Sequence, residues 1–341
     1  MEPLFHKYDD YIECRLCPHL CRIADGRTGI CGVRKNTGHT IVLTTYGVIS
    51  GYSLDPVEKK PLYHFFPGSS ILSIGSYGCN MRCDFCQNWH ISRKSADCNQ
   101  SLMTPEKIAD EALSHAGNVG VAFTYNEPVI WFEYIRDVAL KIKERGLCNV
   151  LVSNGFVNPG PLNEIIAFTD AFNIDLKAFS DDFYKKLTGA GIDPVKSTLK
   201  QIAKSGRHLE ITTLVIPGLN DSVEEMNAQA EWIAGELGAG TPLHLSRYFP
   251  NYRRDDPPTP VERLEVLNET ASRHLKHVYT GNVASFSGQK TRCSGCGTTV
   301  TERSGYRTRF VSLDDTGRCI KCGTTVYRYF KFIRKNGTDG G

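Results

Sequence analysis

The stretch that decides the fold is a cysteine-containing loop at residues 77–89, which reads Tyr77-Gly78-Cys79-Asn80-Met81-Arg82-Cys83-Asp84-Phe85-Cys86-Gln87-Asn88-Trp89. Its three cysteines have the spacing C-x-x-x-C-x-x-C. The apolar run directly before it predicts a short buried strand, and it reads Ile71-Leu72-Ser73-Ile74-Gly75. Gly75 and Gly78 mark the turn out of that strand. We therefore expect three thiols on a loop at the carboxyl end of a strand.

The spacing of these cysteines indicates metal chemistry. A cubane iron–sulfur cluster normally takes four cysteine thiolates. Three close cysteines leave one iron without a protein ligand, and an open position distinguishes a catalytic metal site from a closed structural one. A zinc knuckle and buried reduced cysteines are the alternatives. Cys98, twelve residues beyond Cys86, is the nearest candidate for a fourth ligand, and spacing alone leaves that role open.

The triplet Cys79, Cys83 and Cys86, with Phe85 before the last cysteine, resembles the signature of the radical SAM superfamily. The resemblance implies a [4Fe–4S] cluster whose open iron binds the amino and carboxylate groups of S-adenosylmethionine (SAM), with Phe85 beside the adenine. It also implies that reduction of the cluster cleaves SAM to methionine and a 5′-deoxyadenosyl radical. A low-potential electron donor, a ferredoxin or flavodoxin, is then an expected partner.

Length and composition narrow the class of protein. The 341 residues exceed a typical single domain, although an α/β barrel can absorb about 200–250 of them. A net charge of +3 gives no case for nucleic-acid binding. No run approaches the roughly 18 apolar residues of a membrane span, and the N-terminus has no signal-peptide core. Thirteen cysteines without a leader predict a cytoplasmic protein whose cysteines bind metal.

The N-terminal segment contains a second group of cysteines, at Cys14, Cys17, Cys21 and Cys31. The segment is too short to bury a core unaided, and a metal would supply the missing stability. Zinc and a second iron–sulfur cluster both fit the four thiolates, and reduced structural cysteines are the alternative.

A mixed charged and aromatic segment follows, Asp55-Pro56-Val57-Glu58-Lys59-Lys60-Pro61-Leu62-Tyr63-His64-Phe65, and it predicts an irregular loop with hydrophobic anchors. It resembles the AmmeMemoRadiSam-system radical SAM proteins, a subfamily related to the activating enzyme of pyruvate formate-lyase. The N-terminal C-x-x-C-P-H-x-C resembles that subfamily too. Memo-like and AMMECR-like proteins are encoded beside its members, so the resemblance implies them as partners.

The middle of the chain alternates strand and helix patterns. Thr104 and Pro105 are typical of a helix start, and Asp221 is expected to cap a later helix. Strand patterns occur at residues 71–75, 119–125, 149–153, 171–176, 208–216, 243–248 and 277–279, with helical patterns between them. This alternation predicts a parallel sheet with covered faces. We expect an α/β fold with about six βα units, the number in the partial (β/α)6 TIM-like barrel of the resembled family, and small cysteine-rich metal-binding modules at both ends. The predicted domains are residues 1–70, 71–285 and 286–341.

Polar residues at the ends of these strands are the candidate ligand contacts, because chemistry in such barrels lies at the carboxyl ends. We expect Glu127 to hold an ammonium group and Lys177 a carboxylate, while ribose hydroxyls bond to Ser153, Asn154 and Asp175. The resemblance implies SAM contacts at these residues and at Asn126 and His244. The element at residues 125–128, Tyr-Asn-Glu-Pro, departs from the Gly-Gly-Glu form of the pyruvate formate-lyase activating group. Residues that face the substrate are not assignable from the sequence.

Two C-x-x-C-G knuckles near the C-terminus contain Cys293, Cys296, Cys319 and Cys322. Four thiolates close a tetrahedral site without an open position, so we expect a structural zinc. Rubredoxin-type iron is the main alternative.

Three functions compete on this sequence. The first is a radical SAM oxidoreductase that abstracts hydrogen from an unidentified substrate, with Memo-like and AMMECR-like partners. The second is an activating enzyme for a glycyl-radical enzyme, and the third is a non-catalytic zinc-module scaffold or nucleic-acid binder. The cysteine modules outside the barrel favour the first. Cys98 and Cys148 are left without an assigned role.

Overall fold

The computed structural model describes residues 4–93, 102–283 and 289–331. Cys98, the candidate fourth ligand, lies outside the described residues. Five short strands form the N-terminal part: β1 (Phe5–Lys7), β2 (Tyr11–Cys14), β3 (Arg22–Ala24), β4 (Arg34–Asn36) and β5 (Ile41–Leu43). They make one three-stranded and one two-stranded antiparallel sheet.

The central part alternates strands and helices along residues 51–281. Its elements are β6 (Gly51–Pro56), β7 (Ser70–Gly75), α1 (Trp89–Ser92), α2 (Pro105–Ser114), β8 (Asn118–Phe123), α3 (Phe132–Glu144), β9 (Cys148–Ser153), α4 (Pro159–Phe168), β10 (Ala171–Asp175), α5 (Asp181–Phe183), α6 (Ile192–Lys204), β11 (His208–Val215), α7 (Val223–Ile233), β12 (Leu243–Arg247), α8 (Val261–Ala271) and β13 (Val278–Gly281). The C-terminal part adds an antiparallel sheet of β14 (Thr291–Arg292), β15 (Thr299–Ser304) and β16 (Arg307–Phe310).

The central sheet confirms the predicted α/β class. Strands β7 to β13 pair in parallel in the order of the chain, and a helix lies between each neighbouring pair. These make the six expected βα units. The sheet runs from β13 at one edge to β6 at the other, and β6 pairs antiparallel with β7. The strand β6 belongs to the predicted domain of residues 1–70, yet it pairs with the central sheet. The division of the chain into three domains stays a prediction.

Local signals explain where several elements begin. Thr104 Oγ1 accepts a hydrogen bond from the Lys107 N–H at 3.2 Å, and Pro105 is the first residue of α2. The helical region after β8 starts as a 3₁₀ turn at Pro128–Trp131, which α3 follows directly. The Trp131 indole N–H donates to the Thr45 carbonyl at 2.7 Å. A buried indole needs this partner, and the bond fixes the tight turn.

The segment Val57–Phe66, here called the plug, covers the amino ends of the parallel strands. Its apolar anchors Val57, Leu62 and Phe65 are fully buried and pack on residues at the starts of β7 to β10. Its backbone is held by side chains from the sheet: Asn173 Nδ2 donates to the Pro61 carbonyl, and Glu210 accepts from the His64 N–H. The expected irregular loop is thus an internal part of the barrel.

The terminal parts contact opposite ends of the sheet. Arg303 of β15 is buried and donates to the Tyr63 carbonyl of the plug at 2.9 Å, so the C-terminal part lies at the amino end. The N-terminal part lies at the carboxyl end, where His19 Nε2 is 2.7 Å from the Asn80 carbonyl oxygen. There the buried Arg34 also forms two 2.8 Å bonds to Glu133 of α3. The carboxyl end is therefore where a site can form beside the cysteine loop.

No helix in the described ranges combines the length and the hydropathy that a membrane crossing needs.

Candidate active site

The cysteine loop leaves β7 through a glycine that has no room for a side chain. Gly78 has φ +84°, and a Cβ there would lie 2.5 Å from the Cys31 carbonyl oxygen. The Gly78 carbonyl accepts from Asn126 Nδ2 at 3.0 Å, and Asn88 Nδ2 donates to the Tyr125 carbonyl at 2.7 Å. The loops after β7 and β8 are therefore tied together, and both are packed against the N-terminal part.

The loop brings together Cys79, Cys83 and Cys86, of which Cys83 is buried and the other two are half-buried. Burial raises the pKa of Cys79, and the charges of the other two thiols act in the same direction. Burial also raises the pKa of Cys83, to about 11, although Lys177 opposes the shift. Thiols that titrate so high become thiolates only with a strong cation beside them, which a metal provides.

The three cysteines fit a cluster with one open iron. Among the described cysteines, Cys148 is the one outside the three cysteine groups, and it lies at the start of β9, at the far end of the sheet. The structure describes the whole of this loop, and its three sulfur atoms do not all lie within 4.8 Å of one another. A single zinc would need sulfurs about 3.8 Å apart, whereas cubane ligands bind different irons.

Glu127 forms a buried carboxylate beside this loop. It accepts hydrogen bonds from the Val129 N–H at 3.0 Å, the Ser153 hydroxyl at 2.7 Å and the Asn154 N–H at 2.8 Å. Burial raises the pKa of Glu127 to about 7, while these three donors act in the opposite direction. The structure therefore brings together three residues that the sequence placed after two different strands.

Asp175 and Lys177 form an ion pair after β10, with 2.9 Å between Oδ2 and Nζ. Burial disfavours the charge of Lys177, but Asp175 and Cys83 outweigh it and raise the pKa of Lys177. The ammonium group thus stays charged close to the cysteine loop. Phe85 is buried, with its ring 5.7 Å from that of Phe183.

Asn80 is a residue of this site that the sequence reasoning missed. It is buried, its Oδ1 accepts from Asn154 Nδ2 at 2.9 Å, and its Nδ2 donates to the Phe156 carbonyl. Asn154 Nδ2 also lies 3.8 Å from the Cys79 sulfur. Asn80 therefore joins the cysteine loop to the loop after β9. The sequence feature that could have indicated this role is the position of Asn80 between Cys79 and Cys83.

His244 belongs to a different cluster from the other predicted SAM contacts. Its Nε2 lies 2.6 Å from Glu210 Oε2, and its ring packs on Tyr63 of the plug and on Tyr279. Glu210 is fully buried, and the bonds from His208 and His244 outweigh burial and hold its pKa well below the usual range. A SAM contact at His244 stays a prediction, and no sequence motif indicated a role for Glu210.

The four C-terminal cysteines form a compact group that suits one metal ion. Their sulfur atoms all lie within 4.8 Å of one another, with 3.5 Å between Cys293 and Cys322 and 3.7 Å between Cys296 and Cys319. Tetrahedral zinc with Zn–S of about 2.3 Å needs sulfurs about 3.8 Å apart. The group has no open position, which is typical of a structural site.

The four N-terminal cysteines also lie near one another. Burial raises the pKa of Cys17 to about 12, and the charges of Cys14, Cys21 and Cys31 add to the shift. Within residues 4–93, all of which the structure describes, no three of these sulfur atoms lie within 4.8 Å of one another. That these four cysteines bind a metal stays a prediction, as does the choice between zinc and an iron–sulfur cluster.

This chain is similar in sequence to proteins of one superfamily. The family model described as the Radical SAM superfamily matches residues 73–230, which include the cysteine loop, Glu127 and Lys177. An uncharacterized protein of Methanocaldococcus jannaschii is 38% identical over 327 residues, covering 94% of this chain and 97% of its own. The pyruvate formate-lyase-activating enzyme of Clostridium pasteurianum is 28% identical over 159 residues, covering 46% of this chain and 66% of its own.

Solved structures share the fold at low sequence identity. Streptococcus suis SuiB bound to S-adenosylmethionine has a TM-score of 0.51 at 15% identity, over 66% of this chain and 53% of that one. A radical SAM methyltransferase from Sphaerobacter thermophilus has the same TM-score and identity, over 63% of this chain and 67% of that one.

An open parallel barrel with three cysteines at the end of its first parallel strand defines a class of enzymes. This chain belongs to the radical SAM superfamily and is related to the activating enzymes of glycyl-radical enzymes. Membership implies a [4Fe–4S] cluster and SAM, and it removes the non-catalytic scaffold from consideration.

Proposed function

We propose that this enzyme reductively cleaves SAM at a [4Fe–4S] cluster held by Cys79, Cys83 and Cys86, and that it abstracts hydrogen from a substrate. When bound, the cluster supplies the electron that converts SAM to methionine and a 5′-deoxyadenosyl radical. The observation that carries the proposal is the convergence of three buried or half-buried thiols with Glu127 and the Asp175–Lys177 pair at the carboxyl end of one sheet.

The polar residues around the thiols account for SAM binding in this proposal. Glu127 offers a buried carboxylate to the SAM ammonium group, and Lys177 offers a cation to the carboxylate. Ser153, Asn154 and Asp175 bind the ribose, and Phe85 packs near the adenine. We also propose contacts from Asn126, which orients the loop after β8, and from His244.

Replacing one iron ligand tests the proposal. Cys83→Ala should abolish both cluster absorbance and the release of 5′-deoxyadenosine, because the cluster loses one of its three protein ligands. The assay uses anaerobically reconstituted protein with SAM and dithionite. Cys148→Ala is the matched control, since that thiol lies at the opposite end of β9, and it should retain both signals. Wild-type protein that carries a full cluster and releases no 5′-deoxyadenosine would contradict the proposal.

Two substrates remain in competition within this activity. Resemblance of residues 55–65 and of the N-terminal C-x-x-C-P-H-x-C to the AmmeMemoRadiSam proteins supports a substrate handled with Memo-like and AMMECR-like partners. We propose this assignment, with a ferredoxin or flavodoxin as the electron donor. Co-purification of the tagged enzyme with these partners from its native host tests it. A substrate turned over fully without them would contradict it.

Activation of a glycyl-radical enzyme is the second candidate, because relatives include the benzylsuccinate synthase activating enzyme of Thauera aromatica, 25% identical over 42% of this chain and 44% of its own. Incubation with a glycyl-radical enzyme from the same genome should then give the doublet of a glycyl radical in the electron paramagnetic resonance spectrum. No doublet, while SAM cleavage proceeds, would contradict this candidate.

A further inference from the structure

A concave cleft of about 450 Å³ lies beside the cysteine loop. That volume is within the range of roughly 300–1,000 Å³ of small-molecule sites. Its walls come from the N-terminal part, from the cysteine loop and the end of α1, and from the loop after β12. Its lining includes Cys31, Arg82, Ser92, Arg93, Tyr252 and Arg253.

Three of these residues are arginines, and their charges are poorly compensated. Within residues 4–93, 102–283 and 289–331, neither Arg82 nor Arg93 has a carboxylate partner. Arg253 Nη1 lies 3.7 Å from Asp84 Oδ1, but its side chain is 68% exposed, so this pair is weak. Guanidinium groups match carboxylates and phosphates in shape and charge. The cleft is therefore built to attract an anion.

The wall formed by the loop after β12 is held in place. The Tyr252 ring stacks on that of Trp89 at 5.3 Å, and the Arg253 guanidinium lies over the Tyr252 ring at 5.1 Å. Tyr252 has φ +60°, a left-handed conformation that this packing maintains. The Arg253 N–H donates to the Asp84 carbonyl at 3.1 Å. A wall fixed before binding lowers the entropy cost of holding a ligand.

The cleft is close to the predicted cluster but separate from the predicted SAM contacts. Ser92 lines the cleft, and its hydroxyl lies 3.8 Å from the Cys86 sulfur. The lining includes none of Glu127, Ser153, Asn154, Asp175 and Lys177. A molecule in the cleft would thus bind in addition to SAM, with Ser92 between it and the proposed iron ligand Cys86.

We propose that this cleft binds a carboxylate or phosphate group of the molecule from which hydrogen is abstracted. The inference rests on the proposed function, because it assigns a substrate class to that activity. It limits the substrate to molecules that carry at least one such group, which Arg82, Arg93 and Arg253 would hold while the rest of the molecule faces SAM.

Calorimetric titration tests the inference on unreduced holoenzyme with saturating SAM, so that the SAM site is already filled. Pyrophosphate and succinate are the two probes, and they distinguish phosphate from carboxylate recognition. We expect one of them to bind, with affinity that falls as KCl rises. Arg82→Gln and Arg253→Gln should each weaken binding about tenfold, because each removes a charge-assisted hydrogen bond. Arg273→Gln, an exposed arginine after α8, is the matched control and should bind as the wild type does.

The inference would be overturned if neither pyrophosphate nor succinate bound. It would also be overturned if the Arg253→Gln and Arg273→Gln variants bound the probe with equal affinity. The comparison uses Arg253 because its side chain is exposed. Arg82 directly precedes the buried Cys83, so replacing Arg82 could also disturb the cysteine loop. Wild-type protein that cleaves SAM but binds neither probe would contradict this inference and leave the proposed function intact. Wild-type protein that binds a probe but does not cleave SAM would contradict the proposed function instead.

Discussion

At the scale of single residues, burial decides which of two adjacent lysines contributes to stability. Lys59 and Lys60 both place their ammonium groups 2.8 Å from the Asp55 carboxylate. The Lys59 side chain is 43% exposed, whereas that of Lys60 is 3% exposed. Burial works against the Asp55 carboxylate, but the two lysines outweigh it and hold its pKa below the usual range. The sequence shows two neighbouring lysines and does not distinguish them.

We predict that Lys60→Met lowers the free energy of unfolding by about 3 kcal/mol, because it leaves the buried carboxylate with one exposed cation beside the hydroxyls of Ser53 and Tyr125. Lys59→Met, the matched control, should cost less than about 1 kcal/mol, since water screens that pair. Urea unfolding of the metal-loaded proteins measures both. Equal losses in the two variants would show that burial does not separate their contributions.

Glu127 shows the same limit of sequence reasoning at the candidate site. Its position at the end of a predicted strand identified it as a ligand contact, and its bond from the Val129 N–H is local. Its other two hydrogen bonds come from Ser153 and Asn154, 26 and 27 positions later, and no local pattern connects those positions. The raised pKa of Glu127 therefore follows from the tertiary structure alone.

At the scale of elements, the two cysteine modules differ in how closely their sulfurs approach. The C-terminal knuckles end in Gly297 and Gly323, with φ of +72° and +73°, and each N–H donates to the carbonyl of the first cysteine of its pair. These turns point both pairs of thiols at one centre. The N-terminal cysteines are spread over β2 and the loops that follow, with Cys14 bonded through its N–H to the Cys21 carbonyl.

Metal analysis separates these modules. We predict that Cys319→Ser removes about one zinc per chain and leaves the iron content unchanged, because four thiolates hold one ion. If the N-terminal cysteines hold a second cluster, Cys14→Ser should remove about four irons, and if they hold zinc it should remove about one zinc. Cys148→Ser is the control and should change neither metal. Full zinc content in Cys319→Ser would contradict the structural zinc site.

The boundaries of elements were only partly predictable. The cap at Thr104 was expected and is present. The expected cap at Asp221 is wrong, since Ser222 Oγ accepts from the Glu225 N–H and starts α7. Asp221 instead accepts from the Gly218 N–H and lies 3.5 Å from Arg263. Aspartate and serine are equally good caps, and contacts with α8 decide between them.

At the scale of the whole molecule, a buried polar cluster joins the barrel to the plug and the C-terminal part. His64 of the plug lies 2.6 Å from the Tyr279 hydroxyl, and its ring is 4.4 Å from that of His277. Burial lowers the pKa of His64 well below its ordinary value and that of His277 to about 4. Both rings are therefore neutral at pH 7, and acid must charge them in a buried setting.

This burial predicts a loss of stability on acidification. His277 binds a proton more readily in the unfolded chain, where its pKa is about 6.5, than in the folded protein, where it is about 4. Its contribution is therefore complete above pH 6.5 and is lost as the pH falls toward 4, by up to about 3 kcal/mol. His277→Gln should flatten the decrease in melting temperature between pH 7.5 and pH 5. Parallel decreases in variant and wild type would contradict this role.

The sequence by itself determined what depends on short spacing: the cysteine triplet, the terminal knuckles, and the alternation of strands and helices that gives a parallel sheet. Each of these features involves residues only a few positions apart, and local backbone geometry determines which of them are neighbours. Only the tertiary structure placed the plug inside the barrel, put Glu210 beside His244, and brought together arginines from the cysteine loop, the end of α1 and the loop after β12. Those contacts join residues far apart in the chain, and their partners are chosen by packing and charge in the folded molecule.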